Sequence, residues 1–314
     1  MSEINPFFDD FINDEFFTLL SQNMEKITPQ MTTDQFCHDC NHKECTKKPP
    51  ETIGRFEDPK FPPFTYYFNN YGFRSNDFDP DTAKENFLFA GCSNTFGIGL
   101  PIEFTWSHQF NSLFNKTNFF SLGVNSASID AIIHNINVYI NKIGIPKGIV
   151  ILFPDLWRFL TRVDFSTEEH GKFSQWSNIG RNGIKNQIIG EHPKQEMNFV
   201  YSMFETNSVL RAYHGLYALE LLCKKLNIPL LWSTWSSEFN KYADAVLNEK
   251  LNCYGNLLNE VNFTDYKKFE KVQKENKSIY WTQNREVHPN GAQHLMWAEG
   301  LYRLWNKKYP DFEK

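Results

Sequence analysis

The sequence predicts an α/β domain built on a parallel sheet with helices on both faces. Three observations lead there. Short apolar runs alternate with segments of helical periodicity from Phe87 to the end of the chain, the pattern of strand-crossover-strand units. One run, Gly148 to Phe153 (GIVILF), is apolar throughout, as expected of a strand covered on both faces. Another, Phe87 to Ala90, runs directly into the small-residue turn Gly91-Cys92-Ser93-Asn94-Thr95-Phe96-Gly97, and open sheets of this class bind ligands at the carboxyl ends of their strands.

Taken in order, residues 7 to 24 carry Phe7, Phe8, Phe11, Ile12, Phe16, Leu19 and Leu20 near helical spacing, which predicts an amphipathic helix. A Cys/His cluster and a Pro-rich stretch, Pro49 to Pro63, follow. Residues 1–65 read as an N-terminal extension and 66–314 as the main domain. Within the main domain, Phe87–Ala90 is the first strand and Glu103–Asn115 a helix. Thr117–Leu122 is the second strand and Ser128–Ile143 a helix. Gly148–Phe153 is the third strand, Asn207–Leu226 a long helix, Pro229–Ser233 the fourth strand, and Pro289–Lys307 the closing helix. Residues 164–206 are polar and weakly periodic, which predicts a functional lid or an insertion. No internal repeat or low-complexity tract interrupts the chain.

Composition narrows the functional classes. The 314 residues are 41% hydrophobic and 22% charged, the balance of an ordinary globular protein. Aromatic residues reach 16%, with 30 Phe and 8 Trp. Most must be core, although Trp and Tyr around a cleft would also suit stacking on sugar rings. A net charge of -5 gives no electrostatic footprint for nucleic acid. No apolar run approaches the ~20 residues that span a bilayer, and the acidic start MSEINPFFDDFINDEFF is unlike the basic head of a signal peptide. The expectation is a cytoplasmic protein, or one released with its parent particle, with no nucleic-acid or membrane partner.

Two distant blocks carry the chemistry. Ser93 stands at the apex of the turn after the first strand, and Glu286-Val287-His288-Pro289-Asn290-Gly291 precedes the last helix. A serine hydroxyl is inert until a base takes its proton, and imidazole titrates near neutral pH. A turn serine and a helix-initiating histidine are the bland readings of the same residues. The pair resembles the SGNH, or GDSL-type, hydrolases, whose nucleophilic serine follows the first strand and whose base lies near the C terminus. Asn70-Tyr71-Gly72-Phe73-Arg74, Gly97-Ile98-Gly99-Leu100 and Thr105-Trp106 are similar to a divergent branch of that family, over roughly residues 66 to 308.

That resemblance implies a three-layer α/β/α fold with a parallel, flavodoxin-like sheet, and a serine esterase acting on small-molecule or carbohydrate esters. It implies Ser93 as nucleophile and His288 as general base. The family's acid position, three before the histidine, is Arg285, which cannot orient an imidazole as a carboxylate does. Glu286 serves if the loop bends differently; a backbone carbonyl behind the ring is the alternative. The implied oxyanion hole is the amide of Ser93 with that of Ser126, or of nearby Gly123. Asp155 occupies the third position, where the family has asparagine, and an ionised carboxylate repels a developing oxyanion. Asn94, Asn125 or Arg158 could supply the missing donor, whose loss costs about 10²–10³ in rate. The competing expectation is a catalytically impaired relative that keeps the fold as a binding or structural module; acyl transfer to a sugar is a third.

Cys37, Cys40 and Cys45 stand at C-x2-C-x4-C spacing, with His38 and His42 among them. Three thiolates and His42 or His38 would complete a structural zinc site; a solvated polar loop that holds thiols is the alternative. No cofactor is expected for catalysis. HExxH and HxxEH are absent, and the loop Gly91 to Gly99 lacks the Gly-Lys-Ser/Thr ending of a phosphate loop.

Overall fold

The computed structural model describes residues 53–58, 61–66, 68–69, 71, 73–114, 117–125, 127–156, 158–167, 171–179, 194–235, 253–256, 271, 274–275, 280 and 288–312. The helix expected over 7–24 and the cluster Cys37, Cys40, Cys45, His38 and His42 lie outside them. The chain divides into two compact units, Met1–Phe73 with Thr161–Ser177, and Arg74–Leu160 with Asn178–Lys314.

The first unit contains strands β1 (Ile53–Asp58) and β2 (Phe61–Tyr66), an antiparallel pair with two irregularities of register. A second two-stranded sheet joins β6 (Phe159–Thr167) and β7 (Gly171–Ile179). The 164–206 segment is therefore structured through much of its length, with the second strand of this hairpin followed by the start of a long helix at Lys194. The sequence FLTRVDFST alternates apolar or β-branched residues with polar ones, a period-two signal that falls across the boundary at which the polar segment was drawn.

The second unit is the α/β domain. Its sheet contains β3 (Asn86–Gly91), β4 (Asn118–Gly123), β5 (Gly148–Phe153), β8 (Leu230–Thr234) and β9 (Cys253–Asn256). They lie in the order β4-β3-β5-β8-β9, and every neighbouring pair is parallel. Numbered by their occurrence in this sheet, the strands run 2-1-3-4-5. That is the flavodoxin-like order, and its topological switch point lies between the first and third strands. Phe89 pairs with Ser121 on one side and Val150 on the other, and Val150 pairs with Leu231. All six residues of β3 and all six of β5 are buried.

Among the described residues, α-helices α1 (Ser93–Phe96), α2 (Trp106–Asn111), α3 (Ile129–Lys142), α4 (Lys194–Leu226) and α5 (Gly291–Lys308) accompany the sheet. Side chains alternate across a strand, so Phe87, Phe89, Val150, Leu152 and Leu231 share one face. They form a single core with Trp106 and Phe110 of α2 and with Trp297, Leu301 and Trp305 of α5. Phe87 is its hub, with ring centroids of Phe89, Phe110, Phe114, Trp305 and Phe312 at 5.2, 5.4, 5.3, 4.7 and 5.4 Å. Much of the aromatic content is thus interior packing. On the other face Trp232 donates its Nε1–H to Glu220 of α4 at 2.8 Å, and Asn86 donates to the Tyr139 hydroxyl of α3 at 2.8 Å. Tyr309 closes the start of β8, its hydroxyl accepting from Leu230 N–H at 2.9 Å and donating to Leu230 C=O at 2.8 Å.

Two helices differ from expectation. The helix expected over Glu103–Asn115 is a 3-10 turn, Ile102–Phe104, followed by α2. Thr105 breaks the run: its backbone is extended (φ -75, ψ 146), and its side chain accepts from His108 N–H to cap α2. The helix expected over Asn207–Leu226 begins at Lys194 instead, because KQEMNFVYSMFETN contains neither Gly nor Pro to stop it. Among the described residues no helix is long and apolar enough to cross a membrane.

Candidate functional site

Ser93 is placed by β3. Past Gly91 the chain turns at Cys92 into α1, a single helical turn ended by Gly97 in the left-handed region at φ 76. Cys92 C=O accepts from the amides of Thr95 and Phe96, both at 2.9 Å, and Ser93 C=O from that of Gly97 at 2.8 Å. The amides of Ser93 and Asn94 precede this ladder, so the helix does not consume them. Ser93 thus stands at the carboxyl end of the strand beside the switch point. It is buried, at 7% exposure, and its hydroxyl donates to Cys92 Sγ at 3.9 Å. Among the described residues no hydrogen bond joins Ser93 to His288.

Close backbone packing fixes the turn. A Cβ on Gly123, at the end of β4, would lie 2.6 Å from Phe96 N and 2.8 Å from Thr95 C. Only a glycine lets β4 press on α1 this closely. The Gly123 amide, a candidate oxyanion donor, donates to Ser121 Oγ at 3.2 Å.

Arg74 ties the turn from the opposite side. Its Nη1 donates to the carbonyls of Phe96 at 2.8 Å and Gly97 at 2.9 Å, and its Nη2 to that of Leu100 at 2.6 Å. The guanidinium is buried, at 3% residue exposure, and lies over the Phe96 ring at 5.5 Å. Arg74 falls in the Asn70-Tyr71-Gly72-Phe73-Arg74 block of the family resemblance, which implies no role for it. The available signal was a lone arginine ahead of the first sheet strand.

His288 makes an isolated β-bridge and is partly buried. Immediately after it, Asn290 starts α5 with a reciprocal capping box: its side chain accepts from Gln293 N–H at 3.0 Å, and Gln293 Oε1 accepts from Asn290 N–H at 2.9 Å. One turn further, buried His294 accepts the Trp106 amide on Nδ1 at 2.9 Å, which leaves the proton of the neutral ring on Nε2. Burial first, then the neighbouring His288 and Arg74, push the His294 pKa down to about 3. Arg74 therefore acts electrostatically on the His294 region while bonding the Ser93 turn, and His288 neighbours the same imidazole.

The ends of β5 and β8 contribute another group. Trp235 donates its amide to Phe153 C=O at 3.4 Å and its Nε1–H to Cys92 Sγ at 3.4 Å. The Arg158 guanidinium lies over the Trp235 ring at 5.6 Å, and its amide donates to Asp155 C=O at 3.4 Å. Asp155 and Arg158 are partly buried, as are Asn94 and Asn125. Ser126, Arg285 and Glu286, expected at the second oxyanion amide and the triad-acid positions, lie outside the described residues. Among the described residues no group of three or more His, Cys, Asp or Glu side chains could hold a metal ion.

No protein-family model and no curated protein sequence matches the chain. Solved structures do resemble it. A psychrotrophic esterase, EstA, from Pseudoalteromonas sp. aligns with a TM-score of 0.41 and 10% identity, covering 73% of this chain and 100% of its own. A G-D-S-L family lipolytic protein from Desulfitobacterium hafniense gives 0.39 and 11%, covering 70% and 99%. A member of the same family from Veillonella parvula gives 0.34 and 15%, covering 72% and 96%. The sequence blocks around Ser93 and His288 resemble that G-D-S-L class.

Proposed function

We propose that this protein is a serine ester hydrolase, with Ser93 as nucleophile and His288 as general base. The observation that carries the reading is the position of Ser93: beside the switch point of a 2-1-3-4-5 sheet, on a turn whose first amides are not taken by the helix. In the reaction His288 accepts the Ser93 hydroxyl proton as Oγ attacks the acyl carbonyl. The tetrahedral oxyanion receives hydrogen bonds from the Ser93 amide and that of Ser126 or Gly123. Ser126 is the better second donor, because the Gly123 amide already bonds Ser121. His288 returns the proton to the departing alcohol, and water then cleaves the acyl-serine by the same route in reverse. Glu286, or a backbone carbonyl, orients the imidazole. Asp155 cannot donate to an oxyanion, so Asn94 or Asn125 fills that place. Acetylated carbohydrate and short-acyl esters are the substrate classes in view.

A second reading has its own support. The Ser93 hydroxyl donates to a sulfur at 3.9 Å and not to an imidazole, as in a fold retained for binding after catalysis is lost. Empty active sites also hold loosened hydrogen bonds that tighten with substrate. Hydrolysis of p-nitrophenyl acetate and butyrate by wild type and Ser93→Ala separates the two. Turnover abolished by the substitution is the expected result. Turnover equal in both proteins, together with no labelling of Ser93 by a serine-reactive phosphonate, would establish the binding module.

A further inference from the structure

Among the described residues, Arg158 carries a charged, buried donor that nothing bonds. Its Nη1 is buried with no hydrogen-bond partner, and among the described residues it forms no ion pair, with Asp155 or any other carboxylate. A guanidinium keeps its charge at every accessible pH and offers five donors. A buried N–H of a charged group without an acceptor is costly, and such a cost persists where a ligand supplies the acceptor. The group is also held in place. Its Cζ lies over the Trp235 ring, 5.6 Å from the centroid, Trp235 is bound through Nε1–H to Cys92 Sγ at 3.4 Å, and Cys92 is the residue before Ser93. Cation–π attraction to the indole restrains the guanidinium and consumes none of its N–H donors.

Resting on the esterase reading, we infer that Arg158, mounted on Trp235, is a specificity-determining residue that binds a carboxylate carried by the ester substrate, beside the acyl group that Ser93 attacks. Among the described residues, the contacts that lead from Arg158 towards Ser93 run through Trp235 and Cys92. It thus suits a part of the substrate beyond the reacting carbonyl better than the oxyanion itself. A carboxylate is the anion that a single planar fork matches bidentately. A phosphate dianion draws on more than one cation, and among the described residues the cation placed over Trp235 is Arg158. The preferred substrates are therefore esters of acidic molecules: an O-acylated uronic acid, whose charge lies on the alcohol side, or a half-ester of a dicarboxylic acid, whose charge lies on the acyl side.

Binding is tested apart from turnover by calorimetric titration of Ser93→Ala with glucuronate and with glucose. Glucuronate is expected to saturate the protein more tightly than glucose, and adding Arg158→Gln should weaken glucuronate about 10- to 100-fold, the scale of one charge-assisted hydrogen bond. Thermal melting of each variant controls for folding, and Arg158→Lys should recover part of the affinity through charge alone. In the turnover arm, kcat/KM is compared for an O-acetyl-glucuronate and its glucose counterpart, and for mono-p-nitrophenyl succinate and p-nitrophenyl acetate. The anionic-to-neutral ratio should fall in Arg158→Gln for whichever pair has the charge on the correct side, with the loss appearing mainly in KM. Equal glucuronate affinity with and without Arg158, or no preference of the Ser93→Ala protein for glucuronate over glucose, would overturn the inference. If no ester is turned over by wild type yet glucuronate binding depends on Arg158, the esterase reading fails and the anion site stands.

Discussion

Replacing Arg74 by methionine removes the one side chain that bonds three carbonyls of the Ser93 turn. The three bonds, at 2.8, 2.9 and 2.6 Å, involve a charged donor, each contributing about 1.5–3 kcal/mol, or ~4.5–9 kcal/mol in sum. The opposing effect is the return of a buried guanidinium to water in the unfolded chain, which offsets several kcal/mol of that gain. Methionine fills similar volume but leaves the carbonyls of Phe96, Gly97 and Leu100 without these donors. The net loss should fall near ~3–5 kcal/mol, the range for removing one partner of a buried charged pair. In a domain of this size, a loss of that order lowers Tm by roughly 6–20 °C. Urea unfolding followed by tryptophan fluorescence measures it directly. The turn also carries the proposed nucleophile, so on the esterase reading kcat for p-nitrophenyl acetate should fall further than stability explains, measured well below the melting range. Arg74→Lys, with one ammonium in place of a fork, should recover less than half the stability. A loss under about 1 kcal/mol for Arg74→Met would refute the reasoning, because the three carbonyls would then lose almost no net stabilisation with their donor.

Other perturbations have equally definite outcomes. Gly97→Ala places a Cβ 2.2 Å from Thr105 Cγ2 at a backbone φ of 76, and the combined clash and left-handed strain should cost about 2–4 kcal/mol in chemical denaturation. Adding Thr105→Ser removes the clashing methyl and should restore only the steric part; complete recovery would mean the backbone strain is negligible. Phe87→Ala empties the hub of the aromatic core and should cost about 3–5 kcal/mol, with little change if the surrounding rings collapse into the space. Acid should weaken the fold through buried His294 and partly buried His134. The folded pKa of His294 is depressed from 6.5 to about 3 and that of His134 to about 4, so the unfolded chain takes up protons first. Their stabilisation is complete above pH 6.5 and is lost as pH falls towards those folded values, by up to about 1.4 kcal/mol per pH unit for each group. His294→Gln should flatten the urea-midpoint profile between pH 6 and 4, and an unchanged slope would remove His294 from the explanation.

The sheet was readable because burial on both faces leaves unmistakable apolar runs. NFLFAG and GIVILF have no polar face to disguise their period. Strand order was not readable from these runs, since parallel strands pair in any order that helices can bridge. It entered through the resemblance of the Ser93 and His288 blocks. Hairpin β6–β7 was missed because its strands mix Arg, Asp, Lys and Gln with apolar residues, and β1–β2 because Pro62 and Pro63 read as a loop signal. At the site, Ser93 was visible as a turn after a strand. The role of Arg74 was not, because its partners are carbonyls, and every residue has one. The Trp235 link to Cys92 was equally hidden: indole and thiol lie 143 residues apart, and Cys92 has no chemical role of its own in the turn block that contains it.

Such distances also govern when the site can exist. The amide that starts α2 is held by an imidazole 188 residues later in the chain, and Phe87, from the first strand of the sheet, meets Trp305 and Phe312 near the opposite end of the sequence. A folding chain must leave the aromatic face of its nascent sheet open until α5 docks. Loop-closure entropy makes contacts of this separation slow to form. His288 arrives with the same segment, immediately ahead of the α5 capping box. The serine turn can be assembled early from neighbours in sequence, but it meets its proposed base only in the step that seals the core. On the proposed mechanism, completion of the fold and acquisition of chemistry are then one event, and partly folded chains exposing Ser93 lack the base that would activate it.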